Sequence, residues 1–438
     1  MNSLPRRTPA SSRPRRRGSS TASRRGRRGI ARLLCVTGRS VPRVVVAVRG
    51  LSMRAALLLI MLGACARRGA SLVAPLPLER FSVAPMMDYT DRHFRYLLRL
   101  LSREAVLYTE MVTAATLVDG TGAPRHGDGA RWLGYDDDAG RTVLQLGGAD
   151  PAQLGAAARL AAPRGYAGVN LNCGCPSDRV AGQGCFGAAL MRDAALVADC
   201  VDALAEHAPV SVKCRVGVCD TVSDMVDDDE ALYAGLANFV STVAARGTCA
   251  HFVVHARVAV LSGLSPDKNR KVPPLKPRLV ARLADEFPEL TVVSNGEVAS
   301  YESARDRSEG NVAGVMAGRD VCKRPWYYAN VDSALFGADA DPAASRRDVL
   351  LGAYAAYAAA FEEDHARADW SPRRALLKPA LGLFHGSPGA GRFKREVDAL
   401  AKGGDAGVRE ILERAAALVP DDVLDAPPVL DVARRTAR

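Results

Sequence analysis

The chain has 438 residues, room for about two or three domains, and its content of 48% hydrophobic and 24% charged residues allows a sizeable core. The net charge of +11 is uneven, because residues 1–70 hold 17 of the 59 Lys and Arg and no Asp or Glu. The remainder carries 42 basic against 48 acidic residues. The region after residue 70 therefore has no overall positive field. No segment reaches the ~18 apolar residues of a membrane span, so we expect no stable membrane association.

Residues 1–76 are predicted to be a disordered basic leader. Up to about residue 50 they are rich in Arg, Ser, Pro and Gly, as transit peptides are. Met53-Arg54, the apolar run Ala55–Leu62 and the small residues Gly63–Ala66 then follow the pattern of a signal peptide. We expect an organellar protein, plastid or mitochondrial, if the leader is real, and a cytoplasmic one otherwise. There are two alternatives: translation starts at Met53, or the leader is a disordered tail without a targeting signal.

After the leader, short apolar runs alternate with segments of helical pattern. The predicted strands are Phe81–Ala84, Leu107–Glu110, Val143–Leu146, Gly168–Asn172, Ser211–Arg215, His251–His255, Leu290–Asn295 and Gly314–Ala317. Predicted helices between them include Ala152–Ala162, Ala194–His207 and Pro277–Glu286. Such alternation predicts a parallel sheet, and eight units within residues 77–335 favour a closed α/β barrel, the (β/α)8 TIM barrel.

The pattern changes after Trp326. Helices are predicted at Arg347–Arg367, Arg374–Phe384, Ala390–Ala401 and Val408–Leu418. Residues 345–438 are therefore predicted to be a small all-α helical domain that follows the barrel.

Polar residues end each predicted strand, for example Glu110, Gln145 and Asn172. Barrel active sites are built at the carboxyl ends of the strands, so this placement predicts an enzyme. At the last two strands, Ser294–Glu297 and Met316–Arg319 offer glycine amides and an arginine, as a phosphate site requires. No GxGxxG follows an early strand, which favours a mononucleotide such as FMN over a dinucleotide.

Two cysteines flank Gly174 after the fourth strand, in the stretch NLNCGCPSDRV. From the residues alone, Cys173 and Cys175 could be a metal clip, a redox pair or a reactive thiol on a turn. The ten cysteines contain no CxxC pair, so we expect no metal, and a bridge across one residue would be strained. The scattered Cys200, Cys214, Cys219, Cys249 and Cys322 are expected to be buried, reduced thiols.

The chain resembles the tRNA-dihydrouridine synthases, most of all the bacterial A type, which acts on uridines 20 and 20a of the tRNA D-loop. The resemblance lies in APMMDYTDRHFR, LQLGG, NLNCGCPSDRVAGQGCFGAALM, VKCRVG, HARVAVLSGLSPDKNRKVPPL, SNGE and MAGR, from about Phe81 to Trp326, and in LGLFHGSPGA. It implies that reduced FMN gives a hydride to C6 of the uracil and that Cys175 gives a proton to C5. A thiol can do so because it is mostly protonated at neutral pH. Cys173 is then a packing residue.

The same resemblance implies the other site residues, the partners and NADPH as the electron donor. FMN would be contacted by Pro85, Met86, Met87, Gln145, Lys213, His255, Asn295, Gly296, Glu297, Gly318 and Arg319. Asn172 would touch the target base, and Lys268, Lys271, Lys394 and Arg395 would bind tRNA. The base must leave its stack to reach the flavin. The family also favours a monomer.

One departure and two alternatives stand beside this interpretation. The family usually has an arginine directly after the alanine of the GPGA stretch, whereas this chain has Gly391 after Ala390. This puts the orientation of the tRNA, and so the choice of uridine, in question. The alternatives are an FMN-dependent dehydrogenase of free pyrimidines on the same barrel, and an RNA-binding protein without catalysis.

Overall fold

The computed structural model describes residues 76–134, 141–177, 186–246, 248–366, 370–404 and 406–429. Apart from Leu76, the predicted leader lies outside these residues, so the leader and the localisation stay predictions. Eight strands form a closed barrel in chain order. They are β1 Phe81–Val83, β2 Val106–Thr113, β3 Thr142–Gly147, β4 Gly168–Cys173, β5 Val210–Cys219, β6 His251–Val260, β7 Thr291–Asn295 and β8 Gly314–Ala317.

Each strand runs parallel to the next, and β8 closes on β1 with Val315 opposite Phe81. The predicted (β/α)8 barrel is therefore confirmed. Three strands run three or more residues further than predicted: β2, β5 and β6 continue past Glu110, Arg215 and His255. The register shifts at these places, between Tyr108 and Met111 in β2 and between Arg215 and Gly217 in β5. Such bulges re-aim side chains and are common beside active sites.

The helices around the barrel begin and end at ordinary signals. Asp91 caps the first by accepting from the backbone N–H of Phe94 at 2.8 Å. The helix at Pro277–Glu286 has the predicted bounds, with a proline in its first turn and Leu279, Val280 and Leu283 buried on one face. The α-helices in this part are α1 Arg92–Leu101, α2 Ala114–Leu117, α3 Ala130–Leu133, α4 Pro151–Ala161, α5 Ala194–Ala205, α6 Asp229–Arg246, α7 Pro277–Glu286, α8 Tyr301–Arg307 and α9 Arg319–Lys323.

Shorter helical turns complete the barrel and lead out of it. The 3-10 turns are Ala162–Arg164, Gly187–Arg192, Val222–Asp224, Lys268–Arg270 and Pro325–Asn330, and a π-helical turn follows at Asp332–Phe336. The C-terminal region then adds a π-helical segment Asp348–Tyr354, α10 Ala355–Asp364, α11 Arg373–Leu377, a 3-10 turn Lys378–Gly382, α12 Ala390–Gly403, α13 Val408–Ala416 and α14 Asp421–Leu424. A helical C-terminal region was predicted. The predicted helix Arg374–Phe384 divides into α11 and the 3-10 turn, because Pro379 has no N–H for an α-helical bond.

Apolar packing joins the C-terminal helices to the barrel. One buried cluster contains Phe81 of β1, Leu97 of α1, Tyr354 and Ile411 of α13. At Gly382 the approach is close, because a Cβ there would lie 2.7 Å from Pro325 Cδ. A second cluster, which includes Leu144 of β3, fills the space between the strands and helices α4 to α7. None of the helices in the described part of the chain is long and apolar enough to cross a membrane.

Candidate active site

Cys175 lies on a turn directly after β4, and hydrogen bonds hold the backbone of that turn from two sides. The Asn172 side-chain oxygen accepts from the N–H groups of Gly174 and Cys175, at 2.9 and 3.0 Å. Arg215 Nε donates to the Gly174 carbonyl at 3.1 Å from β5. The Cys175 carbonyl accepts from the Ala188 N–H at 2.9 Å. Residues 172–175, called the cysteine turn below, are therefore a fixed platform with a partly exposed thiol.

The two cysteines of this turn lie in opposite environments. Cys173 is fully buried within the cluster between the strands and the outer helices, and this burial raises the pKa of its thiol far above the ordinary value. Cys175 keeps contact with solvent. Of the two, Cys175 alone is accessible to a reactant, and the reaction of Cys175 stays a prediction.

A chain of buried amides supports the cysteine turn from inside the barrel. Gln145 Nε2 donates to Asn170 Oδ1 at 2.8 Å, and Asn172 Nδ2 donates to Gln145 Oε1 at 3.3 Å. Asn170 Nδ2 in turn donates to Ser211 Oγ at 2.9 Å. The chain crosses β3, β4 and β5, so Gln145 and Asn172 are held in one orientation by buried partners.

Positive charge collects beside the cysteine turn, within β5 and β6. Burial, together with Arg215, lowers the pKa of Lys213 to about 8, and burial lowers the pKa of Arg215 to about 9. Within the described part of the chain, neither side chain forms an ion pair with a carboxylate. Arg215 is buried and donates to three backbone carbonyls, whereas Lys213 is partly exposed, so its ammonium is available to a bound anion.

His255 on β6 faces the same cations and is held neutral. Burial and the charges of Arg215, Lys213, Arg257 and Arg270 lower its pKa well below the ordinary value. A neutral imidazole can donate from one nitrogen and accept at the other. His255 is therefore a hydrogen-bonding group at neutral pH.

Gly296 follows β7 and packs against the His255 ring. Its φ is +116°, and a Cβ there would lie 2.7 Å from His255 Cδ2. Only glycine combines this backbone conformation with this approach. Asn295 donates from Nδ2 to the Met316 carbonyl at 2.7 Å and so joins β7 to β8. Glu297, also at positive φ, forms an ion pair with Arg257.

Gly318 and Arg319 form the end of β8 and the start of α9. A Cβ on Gly318 would lie 3.6 Å from both Ala84 Cβ and Met86 Sδ, so the backbone there faces the loop after β1. Arg319 is partly exposed and its nearest anion is Asp267, at 3.5 Å. This pair is long and exposed, so it leaves the guanidinium available to a phosphate.

The loop after β1 closes the mouth of the barrel on this side. The Met86 N–H donates to Thr90 Oγ1 at 3.0 Å, and the Met86 carbonyl accepts from the N–H groups of Tyr89 and Thr90. Pro85 and Met86 are half-buried, whereas Met87 is exposed. The loop can thus present apolar side chains to a planar ring in the mouth.

Comparisons with known proteins decide the family. The model of the family described as dihydrouridine synthase (Dus) matches residues 82–418. The chain belongs to the dihydrouridine synthase family. It is 44% identical over 359 residues to the tRNA-dihydrouridine(20/20a) synthase of Salmonella typhimurium, which covers 79% of this chain and 97% of that relative. The enzyme of the same name from Pseudomonas aeruginosa is 46% identical over 325 residues, covering 74% and 90%.

The match includes most of the C-terminal helices, so it extends further than the motifs of the sequence indicated. Among solved structures, TcOYE with pHBA aligns at 12% identity and a TM-score of 0.37, covering 62% of this chain and 94% of that one. A TM-score this low carries no further conclusion. Membership makes this chain a dihydrouridine synthase, an oxidoreductase on a (β/α)8 barrel.

The predicted tRNA contacts of this synthase lie on two separate elements. Lys268 begins the 3-10 turn after β6 and Lys271 directly follows that turn, where it pairs with Asp267 at 2.6 Å. Lys394 and Arg395 are exposed on α12. The side-chain oxygen of Asn172 accepts hydrogen bonds from the cysteine turn, so Asn172 positions that turn. Its contact with the target base stays a prediction.

Sequence reasoning named Lys213 and His255 but gave no role to Arg215 and Arg257, two residues further on. Alternate residues of a strand point to the same face, so KCR and HAR place both polar residues of each motif on one side. This alternation was the sequence signal that could have identified Arg215 and Arg257. No sequence signal indicated the hydrogen bonds from Arg215 to the Val258 and Asn269 carbonyls, at 3.4 and 3.2 Å. The described residues contain no group of three or more His, Cys, Asp or Glu arranged to hold a metal ion.

Proposed function

We propose that the chain reduces uridine 20 or 20a of the tRNA D-loop to 5,6-dihydrouridine, with FMN as cofactor and NADPH as electron donor. The support for the substrate is the name shared by the relatives, tRNA-dihydrouridine(20/20a) synthase. The observation that carries the mechanism is the accessible Cys175 on a fixed turn beside the cations Lys213 and Arg215.

The residues present fit a flavin mononucleotide. Lys213 and Arg215 supply positive charge that lacks a carboxylate partner among the described residues, and Gly318 and Arg319 supply a backbone approach and a guanidinium for a phosphate. We infer that Gln145, Lys213 and His255 contact the flavin ring, that Pro85, Met86 and Met87 cover it, and that Asn295 and Gly296 shape the phosphate end. When bound and reduced, FMN supplies the hydride for C6 of the uracil.

Cys175 provides the proton that completes the reduction. The new C5–H bond forms as the S–H bond breaks, and the electron pair of the S–H bond stays on sulfur as a thiolate. Lys213 and Arg215 lie close enough to interact electrostatically with that sulfur, so their charges stabilise the thiolate as it forms. Solvent then returns a proton to the partly exposed thiol.

We infer a division of labour along the chain. The barrel, residues 77–335, carries the chemistry, and residues 345–438 help to hold tRNA. Lys268 and Lys271 at the barrel mouth and Lys394 and Arg395 on α12 are exposed cations in a body of net negative charge. Phosphate contacts from such residues position a nucleic acid without reading its bases.

The experiment is an NADPH-dependent assay of the full chain on tRNA that lacks modifications, with dihydrouridine located by mass spectrometry. We expect a yellow protein that forms dihydrouridine at position 20 or 20a. Loss of a general acid costs about 10²–10⁴-fold, so Cys175→Ala should lower kcat by that factor while FMN stays bound. NADH in place of NADPH tests the donor.

Cys173→Ala is the matched control, because it removes the neighbouring thiol. It should retain activity, with some loss of stability from the cavity that it leaves in the core. Equal loss in both variants contradicts the assignment of the acid. Reduction of free uracil or orotate, without tRNA, supports a pyrimidine dehydrogenase instead, and tRNA binding by a colourless, inactive protein supports a binding function alone.

A further inference from the structure

A cavity of about 360 Å³ separates the loop after β1 from the C-terminal helices. Tyr89, Phe94 and Cys322 line its barrel side. Lys378, Leu381 and His385 line the opposite side. We call it the lysine cavity, because Lys323 and Lys394 complete its wall. Its volume lies in the range of small-molecule sites, about 300–1,000 Å³.

The charge of the lysine cavity favours an anion. Of its three lysines, Lys323 and Lys394 form no ion pair with a carboxylate among the residues that the structure describes. The carboxylate in the wall is Asp91, which caps α1 through the Phe94 N–H at 2.8 Å and interacts with the charge of Lys378. One carboxylate therefore faces three lysines, and the wall stays net positive. The chain outside the leader is net acidic, so this cluster differs from its surroundings.

The lysine cavity also offers an aromatic surface. Tyr89 is 50% exposed, so part of its ring is accessible to a ligand. Lys378 Nζ lies 4.4 Å from the centre of that ring and also donates to the Asp88 carbonyl, so Tyr89 is held between its loop and the residue that follows α11. Leu381 and Pro379 add apolar wall beside it. A ring with adjacent cations is the combination that binds a base and its phosphate.

The lysine cavity lies next to the mouth of the barrel. Cys322 Sγ in its wall is 3.9 Å from Met86 Sδ. Met86 Sδ is in turn the atom that a Cβ on Gly318 would meet at 3.6 Å. One layer of side chains therefore separates the cavity from the end of β8. A strand of nucleic acid with one base in the mouth passes close to this second site.

We propose that the lysine cavity binds one further nucleotide of the substrate tRNA, with its base on Tyr89 and its phosphate between Lys323 and Lys394. The proposal rests on the proposed function and deepens it. The cavity holds the tRNA in register while another nucleotide occupies the mouth. Stacking on one ring accepts any base, so the cavity contributes affinity and position but little sequence preference.

The test compares variants of the full chain in binding to unmodified tRNA. Tyr89→Ala should weaken tRNA binding roughly tenfold, and Tyr89→Phe, which keeps the ring, should bind within about twofold of wild type. Lys323→Ala should weaken binding severalfold and lower the slope of log Kd against log salt by about 1. Lys402→Ala, which removes an exposed lysine of α12 that does not line the cavity, should change neither.

Two further measurements separate the possible outcomes. The rate of flavin reduction by NADPH should be the same in all variants. A higher KM for NADPH with unchanged tRNA binding assigns the cavity to the electron donor and overturns the proposal. Wild-type tRNA binding in Tyr89→Ala and Lys323→Ala also overturns it, while dihydrouridine formation by the same wild-type protein leaves the proposed function standing. If wild-type protein binds no tRNA, both fail together.

Discussion

The cysteine turn and the lysine cavity use the same kind of residue in different ways. At the cysteine turn, the cation Arg215 is 4% exposed and donates to the carbonyls of Gly174, Val258 and Asn269. At the lysine cavity, Lys323 and Lys394 reach into a space open to solvent. The buried cation is fixed by the fold, whereas the exposed ones are able to follow a ligand.

The difference in burial matches the geometric precision that each site requires. A proton transfer requires its groups to be placed within a fraction of an ångström, so misplacement lowers the rate steeply. Phosphate binding tolerates movement because it depends mainly on charge. Changes near the cysteine turn should therefore lower kcat by large factors, and changes near the cavity should alter tRNA affinity by small, salt-dependent factors.

Arg215→Met should have the largest effect on this comparison. It removes the donor to the Gly174 carbonyl and also leaves the buried carbonyls of Val258 and Asn269 without that partner. The cysteine turn then shifts, and a displacement of about 1 Å at a catalytic group lowers the rate by about a hundredfold. The measurement is kcat for dihydrouridine formation at saturating tRNA.

Arg346→Met is the matched control for this variant. Arg346 is a half-buried arginine in the C-terminal region, and it donates to the Leu383 and Val423 carbonyls at 3.0 and 3.2 Å. It should lower the free energy of unfolding and leave kcat nearly unchanged. Equal losses of kcat in the two variants would mean that Arg215 acts through stability alone.

Lys213 should give the site a pH dependence of intermediate size. Its ammonium is charged below a pKa of about 8 and neutral above it. In the flavin-free protein, FMN should therefore bind less tightly as the pH rises through this value, by up to about tenfold per pH unit. Titration of FMN binding at several pH values checks this, and Lys213→Arg, which stays charged, should remove the dependence.

The same shift predicts the direction of the stability change. The folded-state pKa of about 8 lies below the ordinary value of 10.5, so between these two pH values Lys213 binds a proton more fully in the unfolded chain. Lys213 therefore contributes a rise in the free energy of unfolding with pH across this window. Buried thiols such as Cys200, Cys214 and Cys249, whose pKa burial raises to about 12, contribute a fall over the same range, so the measurement is the difference in stability between the flavin-free wild type and Lys213→Met. A difference that does not grow with pH would contradict the lowered pKa of Lys213.

The eight strands could be predicted from the sequence because buried parallel strands are short apolar runs with a regular spacing. The ends of β2, β5 and β6 could not, since a bulge lets a strand continue past the polar residue that ends its apolar run. The division into two domains, residues 77–335 and 345–438, stays a proposal. Phe81 and Tyr354 belong to one hydrophobic cluster, so the two regions share a core.

The candidate site was predictable where motif and strand end coincide. Cys175, Lys213 and His255 belong to local patterns, and the structure gathers them at one end of the barrel. The lysine cavity had no such pattern. Tyr89 and Lys323 are far apart in sequence and line one wall only because the barrel closes β8 against β1.

Gly391→Arg should have the smallest effect and probes the departure from the family at the start of α12. The position is exposed, with space for a side chain near Arg395. An added cation should tighten tRNA binding about two- to fivefold and raise the slope of log Kd against log salt by about 1, while the modified uridine stays the same.

Gly403→Arg, with the same charge at the other end of α12, is the control. Because a cation near a helix N-terminus costs about 0.3–1 kcal/mol, the first variant should also be slightly less stable than the second. Equal tRNA binding by both would place residue 391 outside the tRNA interface, and a change in the modified uridine would show that this single position helps to set the orientation of the tRNA.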